Sequence, residues 1–278
     1  MKILITGANG FIGRHVVVKV LEQGYEVVAL MREGTALNVS SSGNLHEVFA
    51  DLDTVRLDTL KECDVLIHLA AFGVHHGIND WTNCFKVNVI ESLELWTRCV
   101  EAGIKRFIIC GSGFEYGKAG ERYDCIPVEA PLEPTGAYHA SKAAASMAAI
   151  GLAFDKSLKM SILRPFQVFG EGESEYRFWA SMKKAAQSGA DFSMTLGEQI
   201  RYFTPVELVA RQFVEEITNN SVREGVPEIK NIGGGRAMSL GEFARDWWRV
   251  FNATGIIRFG DVQYRKNEIM RYVPKLTD

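Results

Sequence analysis

An excess of charge of either sign is missing from this 278-residue sequence: 31 Lys and Arg against 34 Asp and Glu leave a formal net charge of −3. With no basic surplus, neither nucleic acid nor an anionic membrane is an expected partner. Apolar runs of the ~20 residues that cross a bilayer are also missing. The start, MKILITG, reads as a core strand and lacks the basic region, apolar stretch and cleavage site of a secretory signal. Cysteine is sparse, five in all, an odd number with no C-x-x-C spacing. That indicates neither a disulfide framework nor a zinc site, and no metal is expected. Cys63, Cys99 and Cys110 lie in or beside apolar runs and read as buried thiols, which fits a cytoplasmic location. The remainder, 47% hydrophobic and 23% charged, is ordinary for a globular protein of one large domain, or of one domain plus a lobe.

The most informative stretch is the first. The apolar run Met1-Lys2-Ile3-Leu4-Ile5-Thr6 leads directly into Gly7-Ala8-Asn9-Gly10-Phe11-Ile12-Gly13, after which Val16, Val17, Val20 and Leu21 recur at helical spacing. Strand, glycine turn and helix form the layout that cradles a pyrophosphate. Gly7 permits a tight turn, Gly10 a close approach of backbone to phosphate, and Gly13 close packing of helix on strand. The helix start adds unpaired N–H groups and a partial positive charge.

Strands and helices then alternate. Strands are expected at 2–6, 25–31, 46–49, 64–69, 105–110 and 159–165, and helices at 11–23, 54–61, 80–102 and 136–157. This is the pattern of an α/β doubly wound parallel sheet, and strands as apolar as Val65–Leu69 fit a sheet covered on both faces. Ligands of such sheets sit beyond the carboxyl ends of the strands, so the residues there are the site candidates.

The second strand ends in Met31-Arg32, with Glu33 the nearest acid. An arginine there suits a 2′-phosphate and hence NADP; as a merely solvated arginine it leaves NAD possible. Asp51, followed by Leu52, either accepts from the adenine amino group or caps the helix at 54–61. Ala70 and Ala71 suit backbone lying along a ligand, and His68 inside its apolar run reads as a core histidine. His75 and His76 could touch substrate, without a third residue at metal-ligand spacing. Asn88, amid apolar neighbours, reads as a buried hydrogen-bonding amide. Ser112, between glycines at the end of the fifth strand, is either a turn serine or a group that fixes a ligand oxygen. Tyr138 and Lys142 stand at i and i+4 on the next helix and share a face. An ammonium beside a phenol lowers its pKa from near 10, making Tyr138 a candidate proton donor with Ser112 holding the carbonyl oxygen.

With Gly7, Gly10, Gly13, Ser112, Tyr138 and Lys142 in this order, the sequence resembles the extended short-chain dehydrogenases/reductases, in their nucleotide-sugar epimerase, dehydratase and reductase branch. Ile67–Ala71, Val87-Asn88-Val89, Leu163–Gly170, Arg201–Glu207 and Asn231-Ile232-Gly233 extend the resemblance along the chain. It implies a Rossmann domain of residues 1–165 plus 203–232, and a small C-terminal substrate lobe of 166–202 plus 233–278. It implies Ser112, Tyr138 and Lys142 as the catalytic triad. The cofactor path would run along Gly7, Gly10, Phe11, Ile12, Gly13, Arg32, Asp51, Leu52, Ala70, Ala71, Asn88, Tyr138, Lys142, Pro165 and Phe166. Substrate would meet His75, Ser112, Gly113, Phe114, Arg201 and Arg265. Dehydratases of this branch carry an Asp-Glu pair where this chain has Gly113-Phe114, so water elimination lacks its acid–base pair. The resemblance thus implies an NADPH-dependent reductase of a keto-deoxy nucleotide sugar, with a 4-epimerase as the alternative. A non-catalytic dinucleotide sensor would need no Tyr–Lys pair. The family's habit also implies a homodimer, built on helices 80–102 and 136–157, where Ala140, Ala143, Ala144, Ala145, Ala148 and Ala149 give a small face that could instead pack on the chain's own sheet.

Overall fold

A computed structural model describes residues 1–37, 39, 43–74, 79–266 and 268–276. Strand β1 (Lys2–Thr6) is followed by α1 (Phe11–Glu22), β2 (Glu26–Met31), β3 (Leu45–Phe49), α2 (Leu57–Lys61) and β4 (Val65–His68). Helix α3 (Trp81–Phe85) continues through a π-helical turn, Lys86–Glu91, into α4 (Ser92–Glu101). Then come β5 (Arg106–Cys110), α5 (Ala137–Lys156) and β6 (Lys159–Pro165). The rest comprises β7 (Val168–Phe169), α6 (Phe178–Ser188), β8 (Phe192–Met194), β9 (Ile200–Pro205), α7 (Val206–Glu215), β10 (Glu228–Ile232), β11 (Arg236–Ser239), α8 (Leu240–Val250), β12 (Ile257–Phe259) and β13 (Arg271–Tyr272).

Seven strands form one parallel sheet in the order β10-β6-β5-β4-β1-β2-β3. Period-two alternation sends Ile3, Ile5, Val27, Ala29 and Ile67 to one face, under Val16, Val17 and Val20 of α1 and Val206, Val209 and Phe213 of α7. Leu4, Val28, Leu66, Phe107 and Ile109 point to the other, under Leu60 of α2, Leu95 and Trp96 of α4 and the alanines of α5. Each fully buried large side chain contributes about 1.5–3 kcal/mol. The two apolar faces thus explain why these strands lack the polar alternation of a one-sided sheet.

The expected strands are all present, with ends shifted by a residue or so. The helix expected at 54–61 begins only at Leu57, its N-cap is Arg56, and no side chain caps it. Asp51 therefore does not cap that helix; its N–H and carbonyl bond the Thr54 hydroxyl instead. The alanine face of α5 is divided: Ala145, Ala149 and Ala153 pack on the sheet, while Ala148 is only partly buried. Cys63 and Cys99 are buried, Cys110 is half-buried, and burial pushes the three thiols up to about 12, 12 and 11.

Beyond β6 the chain builds smaller sheets. β9 pairs with β11 antiparallel and with β13 and β7 in parallel, and β8 pairs with β12. An aromatic cluster of Phe169, Trp179, Phe203, Phe243 and Trp247 sits among them. Phe203 and Phe243 stack face to face with centroids 3.9 Å apart. Among the described residues no helix is long and apolar enough to cross a membrane.

Candidate active site

Because β1, β4, β5 and β6 are neighbours and parallel, the segments after their carboxyl ends converge: Gly7, Ala70, Ser112 and Phe166 all lie along one edge. The glycine turn is set by backbone. Gly7 has φ +64°, and a methyl there would lie 2.7 Å from the Ala70 nitrogen. A methyl on Gly13 would stand 2.0 Å from the Gly7 carbonyl oxygen, so the first turn of α1 rests directly on the glycine turn. Gly10 is the N-cap of α1 and no side chain caps the helix. Its geometry leaves the N–H groups of Phe11, Ile12 and Gly13 without helical partners. Arg14 folds back onto the carbonyls of Asn9 and Gly10 at 3.1 and 3.2 Å. This cradle, whose backbone leaves no room for a Cβ at Gly7 or Gly13 and whose helix start offers free N–H groups, fits a dinucleotide pyrophosphate.

Arg32 is exposed just past β2. Next to it lies a cavity of about 590 Å³ lined by Glu33, Glu47, Phe49, Asp51, Thr54 and Arg56 among others. Leu52 is buried in the core beside it. None of Ser112, Tyr138 or Lys142 lines this cavity.

After β4, Thr6 Oγ1 accepts hydrogen bonds from Leu69 and Ala70 N–H and faces His68 Nδ1 at 3.0 Å. His68 Nε2 faces Ser92 Oγ at 3.1 Å; burial pushes this histidine down to about 3, with the Lys142 charge adding to it. It is a neutral core residue. Asn88, in the π-helical turn, ties three elements together. Its Oδ1 accepts from Phe72 N–H at 2.7 Å, and its Nδ2 donates to Phe72 O and Ser141 Oγ, both at 2.9 Å. All these bonds are internal, and they clamp the segment after β4 to α5 between Tyr138 and Lys142. π-Helical turns recur at functional sites. Ala71 is half-buried in this segment; His75 and His76 lie outside the described residues.

Ser112 leaves β5 extended and N-caps a 3-10 turn, Gly113–Tyr116, its Oγ accepting from Phe114 N–H at 3.2 Å. Tyr138 stands in the first turn of α5, and Lys142, buried one turn later, donates from Nζ to Cys110 O at 2.6 Å. The Ser112 side chain interacts with the Tyr138 phenol and favours its ionised form. The structure corrects the electrostatic expectation, however. Burial raises the phenol above its ordinary value, the Cys110 and Glu115 side chains raise it further, and Ser112 and Arg177 only partly offset this. Desolvation thus outweighs the pull of the Ser112 hydrogen bond and the Arg177 guanidinium.

Around this core, Phe166 is buried against Tyr116 and Tyr272, with centroids 6.3 and 5.8 Å away. Phe114 is 41% exposed and stacks between His139 and Tyr272. Arg201 on β9 donates to Ile269 O at 2.6 Å and lies 3.5 Å from Glu268, whose N–H bonds Arg265 O. Arg201 and Arg265 thus flank one turn, with the Arg201 fork engaged by the chain itself.

Sequence reasoning missed two ion pairs here. Glu115 Oε2 accepts from Arg164 Nε at 2.9 Å, both fully buried. Glu173 Oε1 accepts from Arg177 Nε at 2.6 Å, and burial pushes Glu173 up to about 7. Their partners are 49 and 4 residues apart. Only the second, at helical spacing, left a sequence signal. Among the described residues no three His, Cys, Asp or Glu side chains gather as a metal set.

Known proteins are similar to this chain in sequence and in fold. A 225-residue stretch is 28% identical to dTDP-6-deoxy-L-talose 4-dehydrogenase (NAD(+)) of Aggregatibacter actinomycetemcomitans, covering 78% of this chain and 80% of that protein. CDP-abequose synthase of Salmonella typhimurium is 25% identical over 284 residues, 96% of this chain and 87% of its own. The solved structure of MoeE5 in complex with UDP-glucose and NAD superposes with a TM-score of 0.84 at 28% identity, covering 99% of this chain and 90% of the other. The family model of the NAD dependent epimerase/dehydratase family matches residues 3–233. From its first strand through β10, the chain belongs to the NAD dependent epimerase/dehydratase family.

Proposed function

We propose that the protein is an NADPH-dependent reductase of a keto-deoxy sugar carried on a nucleoside diphosphate. The observation that carries this reading is the half-buried Tyr138 phenol in hydrogen-bonding contact with the Ser112 side chain, its pKa raised by desolvation, with no acid–base pair at Gly113-Phe114. The nicotinamide cofactor, when bound, supplies the hydride. Ser112 donates its hydroxyl proton to the substrate carbonyl oxygen and holds it in place. Tyr138 transfers a proton to that oxygen as the alkoxide forms. Lys142, buried one turn away, provides the positive charge that stabilises the phenolate left behind. The glycine cradle, with Phe11, Ile12, Ala70, Ala71, Pro165 and Phe166 along the same edge, holds the dinucleotide. Arg201 and Arg265 meet the diphosphate of the sugar, in a substrate lobe of residues 166–202 and 233–278. The named relatives support the sugar reading: one is called a 4-dehydrogenase of a dTDP-6-deoxy sugar, the other a CDP-sugar synthase.

NADPH rests on Arg32. NAD is the alternative, and the three carboxylates of the adjacent cavity, Glu33, Glu47 and Asp51, favour it by repelling a 2′-phosphate. The five cysteines are free thiols, as suits a cytoplasmic enzyme. We also propose a homodimer, since Trp81 and Ile90 on α3 and the π-helical turn, and Met147 and Phe154 on α5, are each more than half exposed.

The test follows reduced nicotinamide by absorbance with a keto-deoxy nucleotide sugar. Stoichiometric loss of NADPH is expected, with NADH used less well. Interconversion of two sugar epimers without net nicotinamide change replaces the reductase with a 4-epimerase.

A further inference from the structure

The turn that carries Ser112 is only four residues long, too short to hold a shape of its own. It is held by buried charge. Glu115 Oε1 accepts from Ser112 N–H at 2.7 Å while Ser112 Oγ accepts from Phe114 N–H, forming a reciprocal cap. Glu115 Oε2 is taken by Arg164 Nε at 2.9 Å. Arg164 Nη1 donates to Tyr116 OH at 2.8 Å, and Tyr116 OH donates to Asn231 Oδ1 at 2.7 Å. The chain of bonds runs from the site serine through β6 to β10, and all five residues are buried. A buried ion pair is a poor source of stability, because desolvation offsets its attraction. An apolar pair could fill the same space. What an apolar pair could not do is accept the Ser112 N–H.

We propose that Glu115 and Arg164 are positioning residues for Ser112, fixing its main chain so that the hydroxyl presents its proton to the substrate oxygen. The inference rests on the role given to Ser112 above. Phe114 N–H takes one Oγ lone pair, so Ser112 keeps its O–H as a donor toward the side where Tyr138 stands. Arg164 holds the carboxylate from the far side, so Glu115 cannot swing toward the site and act on substrate itself. The family resemblance leaves Glu115 one residue away from the dehydratase acids, and the ion pair gives its different job.

Glu115→Gln keeps size but has one acceptor and one donor where the pair needs two acceptors, so either Ser112 N–H or Arg164 loses its partner. The experiment is a double-mutant cycle on the full chain: Glu115→Gln in the parent and in a Ser112→Ala background, with kcat and KM measured for sugar and cofactor. In the parent, kcat should fall by up to about 100-fold, the cost of a misplaced reacting group, with cofactor KM little changed. In the Ser112→Ala background the same substitution should cost less than about twofold, because the group it positions is gone. Equal losses in both backgrounds would make Glu115 a purely structural residue and overturn the proposal. If Ser112→Ala alone leaves kcat intact, the catalytic role of Ser112 falls, and this proposal falls with it. Should Glu115→Gln fail to fold by circular dichroism, Arg164→Lys, which keeps the charge but loses the fork, runs the same cycle against the same criteria.

Discussion

Gly13→Ala probes the cofactor cradle at its tightest point. The added methyl would lie 2.0 Å from the Gly7 oxygen, 2.9 Å from the Gly7 carbon and 3.0 Å from the Ala8 carbon. Carbon–oxygen contacts close to about 3.3 Å at best, so helix and turn must part by roughly 1 Å or more. Every atom met is main chain, and no rotamer change relieves the clash. Val16, Val17 and Val20 pin α1 to the sheet, so the strain is shared with the core at about 1–3 kcal/mol. The N–H groups of Phe11, Ile12 and Gly13 move with the helix start. Hydrogen bonds to a charged partner are worth about 1.5–3 kcal/mol each, so losing one weakens dinucleotide binding roughly ten- to hundredfold. The assay is the Kd for NADPH and NAD by fluorescence titration, alongside thermal unfolding. Gly24→Ala is the control: its φ is +78° and nothing lies within 4 Å of the added methyl, so it should cost about 1 kcal/mol of strain and leave affinity unchanged. If Gly13→Ala binds both cofactors within about twofold of the parent, the cradle assignment is wrong.

Other perturbations address the chemistry and the assembly. Tyr138→Phe should leave cofactor affinity intact and lower kcat by about 10²–10⁴-fold in steady-state assays. The raised phenol stays protonated through neutral pH, so sugar reduction should be flat with pH there and fall only on the alkaline side of the ordinary tyrosine value. Oxidation of the alcohol, which needs the phenolate, should instead rise with pH; parallel profiles would refute Tyr138 as the proton carrier. Arg32→Ala should raise KM for NADPH far more than for NADH, and equal changes would remove its part in recognising a 2′-phosphate. Phe154→Glu should shift a dimer to monomer by light scattering, since Phe154 is 60% exposed on α5; a parent that is already monomeric at micromolar concentration rejects the dimer.

The sheet was legible because both of its signals are local. Each strand is a short apolar run, and the glycine turn announces where the first helix starts. The Tyr138–Lys142 pair was legible for the same reason, one turn apart on one helix. Its electrostatics were not, since burial of the phenol depends on residues distant in sequence. Asp51 shows the limit of boundary reading: a plausible cap stood several residues before a helix that starts at Leu57. The Glu115–Arg164 pair was invisible because 49 residues and a helix separate the partners, and only the parallel pairing of β5 with β6 joins them. The small strands β7, β12 and β13, of two or three residues, are too short to carry a period.

The segment around Tyr272 reaches back to the turn that bears Ser112. Tyr272 OH donates to Gly113 O at 2.9 Å, Lys275 N–H to Ile126 O at 2.8 Å, and Asn231 Nδ2 to Lys275 O at 3.3 Å. This gives the molecule a sequence in time. Gly113 is 159 residues ahead of Tyr272, an interval of roughly 8–30 s at a ribosome adding ~5–20 residues per second. All seven strands of the main sheet have been synthesised by Ile232, well before the clasp exists. A nascent chain can therefore assemble its dinucleotide cradle while the turn bearing Ser112 is still unlatched.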